Sequence, residues 1–127
     1  MSATNTETAT PESRAAFGEL SGEEFMTLVQ SRDVAARIAA AGRDDAPLGV
    51  LVSFAQDRKT EVRVAVATNS AIGVSPAIQS VLAEDRAVEV ARALIRNSAV
   101  TRAIVAKVSE EGPRAARSEA AAWLAKS

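Results

Sequence analysis

Three arginines are the residues whose type and spacing best suit ligand binding. Arg92 and Arg96 lie four positions apart, so a single helix face would present both guanidinium groups. Arg63 belongs to the preceding predicted helix and is expected to join them. Guanidinium groups bind carboxylates and phosphates through paired hydrogen bonds, so the cluster is expected to receive an acidic or phosphorylated peptide. The alternative is a solvated face in which Glu61 and Glu89 pair with these arginines.

The remaining reactive residue types do not form a catalytic constellation. The chain has no cysteine and no histidine, which removes thiolate and imidazole chemistry and disulfides. Asp44 and Asp45 are adjacent carboxylates, but neighbouring residues point in different directions and no further ligand accompanies them. The six glycines are scattered and form no phosphate-binding loop. We therefore expect a protein that is not an enzyme and uses neither cofactor nor metal.

A second candidate contact is the apolar loop around Ile72 and Val74. An exposed apolar loop would dock a partner. The alternative is that the loop folds back over the core.

The element that must position these residues is a repeat. Residues Phe54–Ala71 recur 28 positions later as Leu82–Ala99, with nine of eighteen positions identical. Self-similarity at such a period is typical of stacked structural repeats. Residues that build the fold must recur, whereas residues that bind a partner are free to vary. Function is therefore expected at positions where the copies differ, which include the three arginines.

The repeated polar residues are accordingly predicted to be structural. Asn69 and Asn97 occupy equivalent positions at predicted helix ends, where asparagine tolerates the left-handed conformation that terminates a helix. Asp57 and Asp85 precede helices and are predicted to cap their free amides. The arginine that follows each aspartate is expected to bridge to the neighbouring repeat.

Helical periodicity predicts eight short helices in four antiparallel pairs. A capping box at Ser21 and Glu24 marks the first start. Residues 62–67 alternate like a strand, but their copy at 90–95 does not, so both are predicted to be helical. Such pairs favour an all-α fold, an α-solenoid with nearest-neighbour packing. A compact all-α bundle is the alternative.

The repeated residues resemble those of the variant leucine-rich repeat and, more loosely, HEAT-type helix pairs. This resemblance implies a right-handed superhelix that takes part in macromolecular interaction. The iron–sulfur cluster of some relatives is not carried over, because the chain lacks cysteine, and Ser70 and Ser98 stand where a proline is expected. The residues that carry the resemblance are Leu82-Ala83-Glu84-Asp85, Glu89-Val90, Ala93-Leu94 and Asn97, with Phe54-Ala55-Gln56-Asp57, Glu61-Val62-Arg63, Ala65-Val66 and Asn69 in the earlier copy.

Composition and charge set the domain boundaries and the partner class. Residues 1–19 are polar and are predicted to be a disordered tail, followed by a helical repeat domain over 20–127. Residues 1–57 carry nine acidic and four basic residues, and residues 58–127 carry seven and eleven. The basic second half leaves nucleic-acid binding, as in HEAT-like proteins, as the alternative function. With neither an apolar span nor a signal sequence visible, a cytoplasmic location is expected.

The last predicted helix is unusual for the end of a solenoid, whose outer face is normally polar. Ala115, Ala116, Ala120 and Ala122 surround Trp123. Trp123 is expected to turn inward, or the helix packs on a second copy or a further domain. The sequence as a whole predicts a non-enzymatic protein–protein interaction module with a regulatory or scaffolding role.

Overall fold

The structure is a computed structural model that describes residues 10–126. All regular elements within that range are helical, which confirms the all-α prediction. Residues 1–9 of the predicted tail lie outside the described residues. The elements are α1 (Pro11–Arg14), α2 (Gly22–Val29), α3 (Val34–Ala41), α4 (Leu48–Phe54), α5 (Thr60–Thr68), a 3-10 helix (Ser70–Val74), α6 (Pro76–Ala83), α7 (Val88–Arg96), α8 (Arg102–Glu111) and α9 (Arg114–Lys126).

Local capping chemistry explains where several helices begin. The capping box is confirmed: the Glu24 amide donates to Ser21 Oγ, and the Ser21 amide donates to Glu24 Oε1. The side chains of Asp33, Ser75 and Thr101 each accept an amide of the first helical turn that follows. Each bond satisfies a main-chain donor that the helix itself leaves free.

The segment that alternates like a strand is helical, as its repeat copy predicts. Residues 62–67 lie inside α5, where Val62, Val66 and Ala67 are buried. Val62 and Val66 share one helix face because they are one turn apart, and Ala67 lies next to Val66. Residues 90–95 lie inside α7 with the same spacing of buried residues.

The helices form two rows with the core between them. The first row consists of α2, α4, α6 and α8, in which α2 contacts α4, α6 contacts α8, and the 3-10 helix contacts both α4 and α6. The second row consists of α3, α5, α7 and α9, each of which contacts the next one. The largest fully buried side chains lie in this one core: Phe54, Leu28, Leu51, Ile72, Ile78, Leu82 and Leu94.

Arginine–aspartate pairs join successive helix pairs. Arg37 Nε donates to Asp57 Oδ2 at 2.8 Å, and its Nη1 donates to the Ser31 oxygen at 2.6 Å. Arg63 Nε donates to Asp85 Oδ2 at 2.6 Å, and its Nη1 donates to the Asp57 oxygen at 2.7 Å. Each guanidinium therefore binds the corner of its own pair and the carboxylate of the next corner.

The bridging arginines are not the ones expected from the sequence. Arg58 and Arg86, which follow the aspartates, are exposed. The aspartates do not cap the next helix as predicted, because their Oδ1 atoms accept the amides of Lys59 and Ala87, the residues just before each helix.

The asparagines at the ends of second-row helices form a second set of links. Asn69 Nδ2 donates to the main-chain oxygens of Ala41 at 3.0 Å and Arg43 at 2.8 Å. The predicted left-handed conformation is wrong, because Asn69 and Asn97 have extended backbones with φ of −74° and −82°. The feature that recurs is the side-chain amide, which donates hydrogen bonds to main-chain oxygens at the end of the preceding second-row helix.

The structure differs from the expected tail over residues 10–19. Residues Pro11–Arg14 form α1, and Ala15 is buried. Arg14 forms an ion pair with Glu24. Gly18 has a φ of +88°, a conformation open to glycine that turns the chain from α1 toward α2. The N-terminal segment thus packs against the first helix pair through apolar and ionic contacts.

Candidate binding groove

Two adjoining surface depressions of about 960 Å³ and 540 Å³ lie over α3, α5 and α7 and share Thr68 and Ser70. We call the two together the groove. The first lies over α3 and α5, and the second lies over α5 and α7. The lining includes Phe17, Ile38, Ala39, Asp44, Asp45 and Ala65 in the first depression, and Val64, Glu89, Arg92, Ala93 and Arg96 in the second.

The groove exists because one position of each of α3, α5 and α7 is an alanine. Ala39, Ala65 and Ala93 occupy equivalent positions on α3, α5 and α7 and are all half-buried. Their small side chains leave space that a longer residue would fill. The three alanines are visible in the sequence. Only the structure shows that the face of the helices on which they lie remains open.

The neighbouring column changes its chemistry from one helix to the next. The residues one position earlier are Ile38, Val64 and Arg92. The groove therefore passes from an aliphatic wall over α3 and α5 to a cationic wall over α7.

One end of the groove is marked by an exposed aromatic ring. The Phe17 side chain is 83% exposed, which is costly for so large an apolar group. Nearby, Arg43 Nε and Nη2 donate to the two carboxylate oxygens of Asp45 at 2.8 and 2.9 Å. The hydrogen bond from Arg43 lowers the pKa of Asp45. Asp45 thus forms an ion pair with Arg43 within the turn that precedes α4.

Arg43 also fixes the backbone that carries Phe17. Its guanidinium donates to the Gly18 oxygen at 2.7 Å and the Ala15 oxygen at 3.2 Å. The same group lies 5.6 Å from the centre of the Phe25 ring, within the range of cation–π attraction. The aromatic end of the groove is therefore anchored by a tied turn.

The other end holds two of the three arginines expected to bind a ligand. Arg92 Nε and Arg96 Nη2 lie 3.5 and 3.3 Å from Glu119 Oε1. Their side chains are 44% and 70% exposed, whereas that of Glu119 is 31% exposed. Glu119 Oε2 is buried and accepts no hydrogen bond from the described residues. The two guanidinium groups therefore share one incompletely bonded carboxylate and keep exposed surface for a ligand.

Arg63 does not join that cluster as the sequence suggested. Its guanidinium is occupied by Asp85 and by the Asp57 oxygen, and its side chain is only 18% exposed. Arg63 differs from Arg92 and Arg96 because its helix position faces the next pair instead of the groove. Glu61 and Glu89, proposed as alternative partners of the arginines, form no ion pair with a described residue.

The two loop residues predicted to contact a partner differ in exposure. Ile72 is fully buried, whereas Val74 is 78% exposed. Buried Gln79 holds this segment, because its Nε2 donates to the Ile72 oxygen at 2.8 Å and its Oε1 accepts the Thr101 amide at 3.3 Å. The loop therefore folds back over the core at Ile72 and leaves only Val74 for contact.

Comparisons with known proteins do not assign the chain to a family or a known fold. The chain matches no known family model, no curated protein and no solved structure. Across residues 10–126, no group of three or more carboxylates is placed to hold a metal ion. Over the same residues, the helices are too short or too polar to cross a lipid bilayer.

Proposed function

We propose that this chain is a non-enzymatic helical-repeat module that binds a protein or peptide partner, in a scaffolding or regulatory role. The proposal includes a right-handed α-solenoid related to the variant leucine-rich and HEAT-like repeats. The observation that carries it is the groove, in which an alanine column forms the floor and the adjacent column varies. The repeated small residues leave room for a ligand on a rigid stack of helices, and the variable residues beside them can select it.

The chemistry of the groove defines the expected ligand. Phe17 and the aliphatic wall of Ile38 and Val64 would bury apolar side chains of a peptide. Arg92 and Arg96 would bind a carboxylate or phosphate farther along it. The ligand anion would replace Glu119, whose second oxygen accepts no hydrogen bond from residues 10–126. The partner is thus a peptide with apolar residues followed by an acidic or phosphorylated residue.

Affinity purification with mass spectrometry tests this site. The double substitution Arg92→Glu and Arg96→Glu should remove the specific partner, since two attractive contacts become repulsive. Lys126→Glu is the matched charge reversal at an exposed position outside the groove. If the double variant keeps every partner that the wild-type and Lys126→Glu proteins retain, the arginine end does not bind the ligand.

Substitution of Phe17 tests the aromatic end independently. Phe17→Ser should weaken the partner's affinity about tenfold while leaving the unfolding free energy nearly unchanged, because the ring is already exposed to water. Isothermal titration with the purified partner measures the affinity. Unchanged affinity would restrict the ligand to the other end of the groove.

One observation favours nucleic acid as a second candidate. Arg32, Arg58 and Arg86 stand at equivalent corners of three successive helix pairs and are all exposed. Such a column could contact a phosphate backbone. Fluorescence anisotropy with duplex DNA at low salt, comparing wild type with a triple arginine-to-alanine variant, tests this function. Absence of binding at low salt would eliminate it.

A further inference from the structure

The last helix pair exposes residues that inner pairs use to bind their neighbours. On α9, Arg117 and Ala121 occupy the positions that Arg63 and Ala67 occupy on α5. Ala67 is fully buried, and Arg63 binds Asp85 of the next helix pair. Arg117 and Ala121 are both exposed.

On the last helix pair, a depression of about 510 Å³ lies on the face that corresponds to the one with which inner pairs contact the next pair. It is lined by Ser109 of α8 and by Arg114, Arg117, Ser118 and Ala121 of α9. We call this surface the end face. Its described lining residues provide two cations, two hydroxyl groups and no carboxylate. The Arg117 side chain forms no hydrogen bond or ion pair with any residue between 10 and 126.

The contacts inside the molecule indicate what would cover the end face. Arg37 and Arg63 each bind an aspartate at the corner of the next helix pair, at 2.8 and 2.6 Å. Arg117 is the same residue type at the same helix position. A carboxylate at the corresponding corner of an incoming pair would complete the same contact, and the cationic lining of the end face favours it.

We infer that the end face docks an antiparallel helix pair of another protein chain, whose corner carries an aspartate that binds Arg117. The inference uses the paired-helix architecture of the proposed function but not its groove. Substitutions at Phe17, Arg92 or Arg96 should therefore leave this docking unchanged, and loss of Arg117 should leave peptide binding in the groove unchanged.

A second copy of the chain fits the end face less well. The first corner of the chain has Ser31 at the position of Asp57 and Asp85. In addition, α1 packs against α2 and α3, where an incoming end face would have to stack. A head-to-tail copy would thus supply no aspartate at the position of Asp57 and Asp85 and no open surface.

An extended chain tests the docking with a probe of known sequence. A copy of residues 70–97, which holds α6, the Asp85 corner and α7, is joined after Ser127 by a flexible linker of about ten Gly and Ser residues. Such a linker maintains a high effective concentration of the appended pair. Hydrogen exchange should show protected amides in the appended helices.

Two substitutions separate specific docking from nonspecific association. Arg117→Ala, or Asp→Asn at the copy of Asp85, should each reduce the protection factor of the appended helices about tenfold, equivalent to roughly 1.4 kcal/mol. Combining them should give little further loss. In the chain without the extension, Arg117→Ala should leave the melting temperature unchanged.

Two results would overturn the inference. An appended pair without protection, or with protection that neither substitution reduces, would show that Arg117 does not bind a corner aspartate. Concentration-dependent association of the unextended chain in sedimentation, abolished by Arg117→Ala, would show that the occupant is a second copy.

Discussion

Asn97 donates its side-chain amide to the main-chain oxygen of Asn69 at 3.0 Å, which bonds the end of α7 to the end of α5. Asn69 makes the equivalent bonds to Ala41 and Arg43 at the end of α3. Three successive second-row helices are therefore connected at their carboxyl ends by side-chain amides. These links fix the spacing of the helices that line the groove.

Replacing Asn69 with alanine should lower the free energy of unfolding by about 2–3 kcal/mol. The variant loses two donated bonds and one accepted bond, and it removes the donor to the Ala41 oxygen and the acceptor of the Ala71 amide. Urea unfolding followed by circular dichroism measures the change. Ser98→Ala, at an exposed position, should change the unfolding free energy by less than about 0.5 kcal/mol. Equal effects would mean that the amide contributes no stability.

The contact between Arg63 and Asp85 should contribute more than an exposed ion pair. The side chains are 18% and 11% exposed, and they share two guanidinium–carboxylate bonds. A double-mutant cycle with alanine at both positions should give a coupling free energy of about 1–3 kcal/mol. The same cycle on Arg96 and Glu119, where the arginine is 70% exposed, should give less than about 1 kcal/mol. The reverse order would contradict the assignment of Arg63 to the inter-pair contact.

Acid should weaken the attachment of the N-terminal segment through Glu24. The hydrogen bond from Arg14, and then that from the Ser21 amide, lower the pKa of Glu24 from 4.5 to about 2. Since the folded-state pKa lies below the unfolded one, the contribution of Glu24 to stability is present above pH 4.5 and is lost as the pH falls toward 2. Melting temperatures of wild type and Glu24→Gln should therefore converge between about pH 5 and pH 2.5.

Glu23→Gln is the control for this titration, because Glu23 lies in the same helical turn but is exposed. Its melting temperature should follow that of the wild type across the range more closely than that of Glu24→Gln does. A constant difference between wild type and Glu24→Gln at every pH would contradict the role of the Arg14 contact.

Two glycines should respond in opposite directions to alanine. A Cβ at Gly112 would lie 2.7 Å from the Val108 oxygen and 2.8 Å from Val108 Cγ1. Gly112→Ala should therefore lower the unfolding free energy by about 1–3 kcal/mol through steric overlap. Gly49 lies in the first turn of α4, with no heavy atom near its Cβ position. Gly49→Ala should raise the unfolding free energy by about 0.5 kcal/mol, and thermal unfolding of both variants compares them.

The sequence predicted local features better than contacts between helices. The capping box at Ser21 and Glu24 depends on residues three positions apart, and its geometry follows from a single helical turn. The roles of Asn69 and Arg63 depend on partners 22 to 28 positions away. The repeat predicted that both asparagines are structural, but it gave the wrong conformation because the identity of their hydrogen-bond partners was unknown.

The expected cluster of three arginines shows the same limit. Arg92 and Arg96 share a helix face, which the four-residue spacing alone establishes. Whether Arg63 faces them depends on how α5 is rotated against α7, and the structure turns Arg63 toward Asp85. Phe17 lies at one end of the groove, and Glu119 pairs with the two arginines at the other end. Neither residue carries a signal in the repeat, because both lie outside it.

The sequence by itself determined an all-helical chain of short paired helices, because periodicity, capping residues and prolines act within one or two turns. The tertiary structure decided which faces of those helices remain open, and hence the groove and the end face. These surfaces arise from the stacking of residues about one repeat apart, such as Ala39, Ala65 and Ala93. Their exposure depends on the packing of neighbouring helices, which no single segment of the chain specifies.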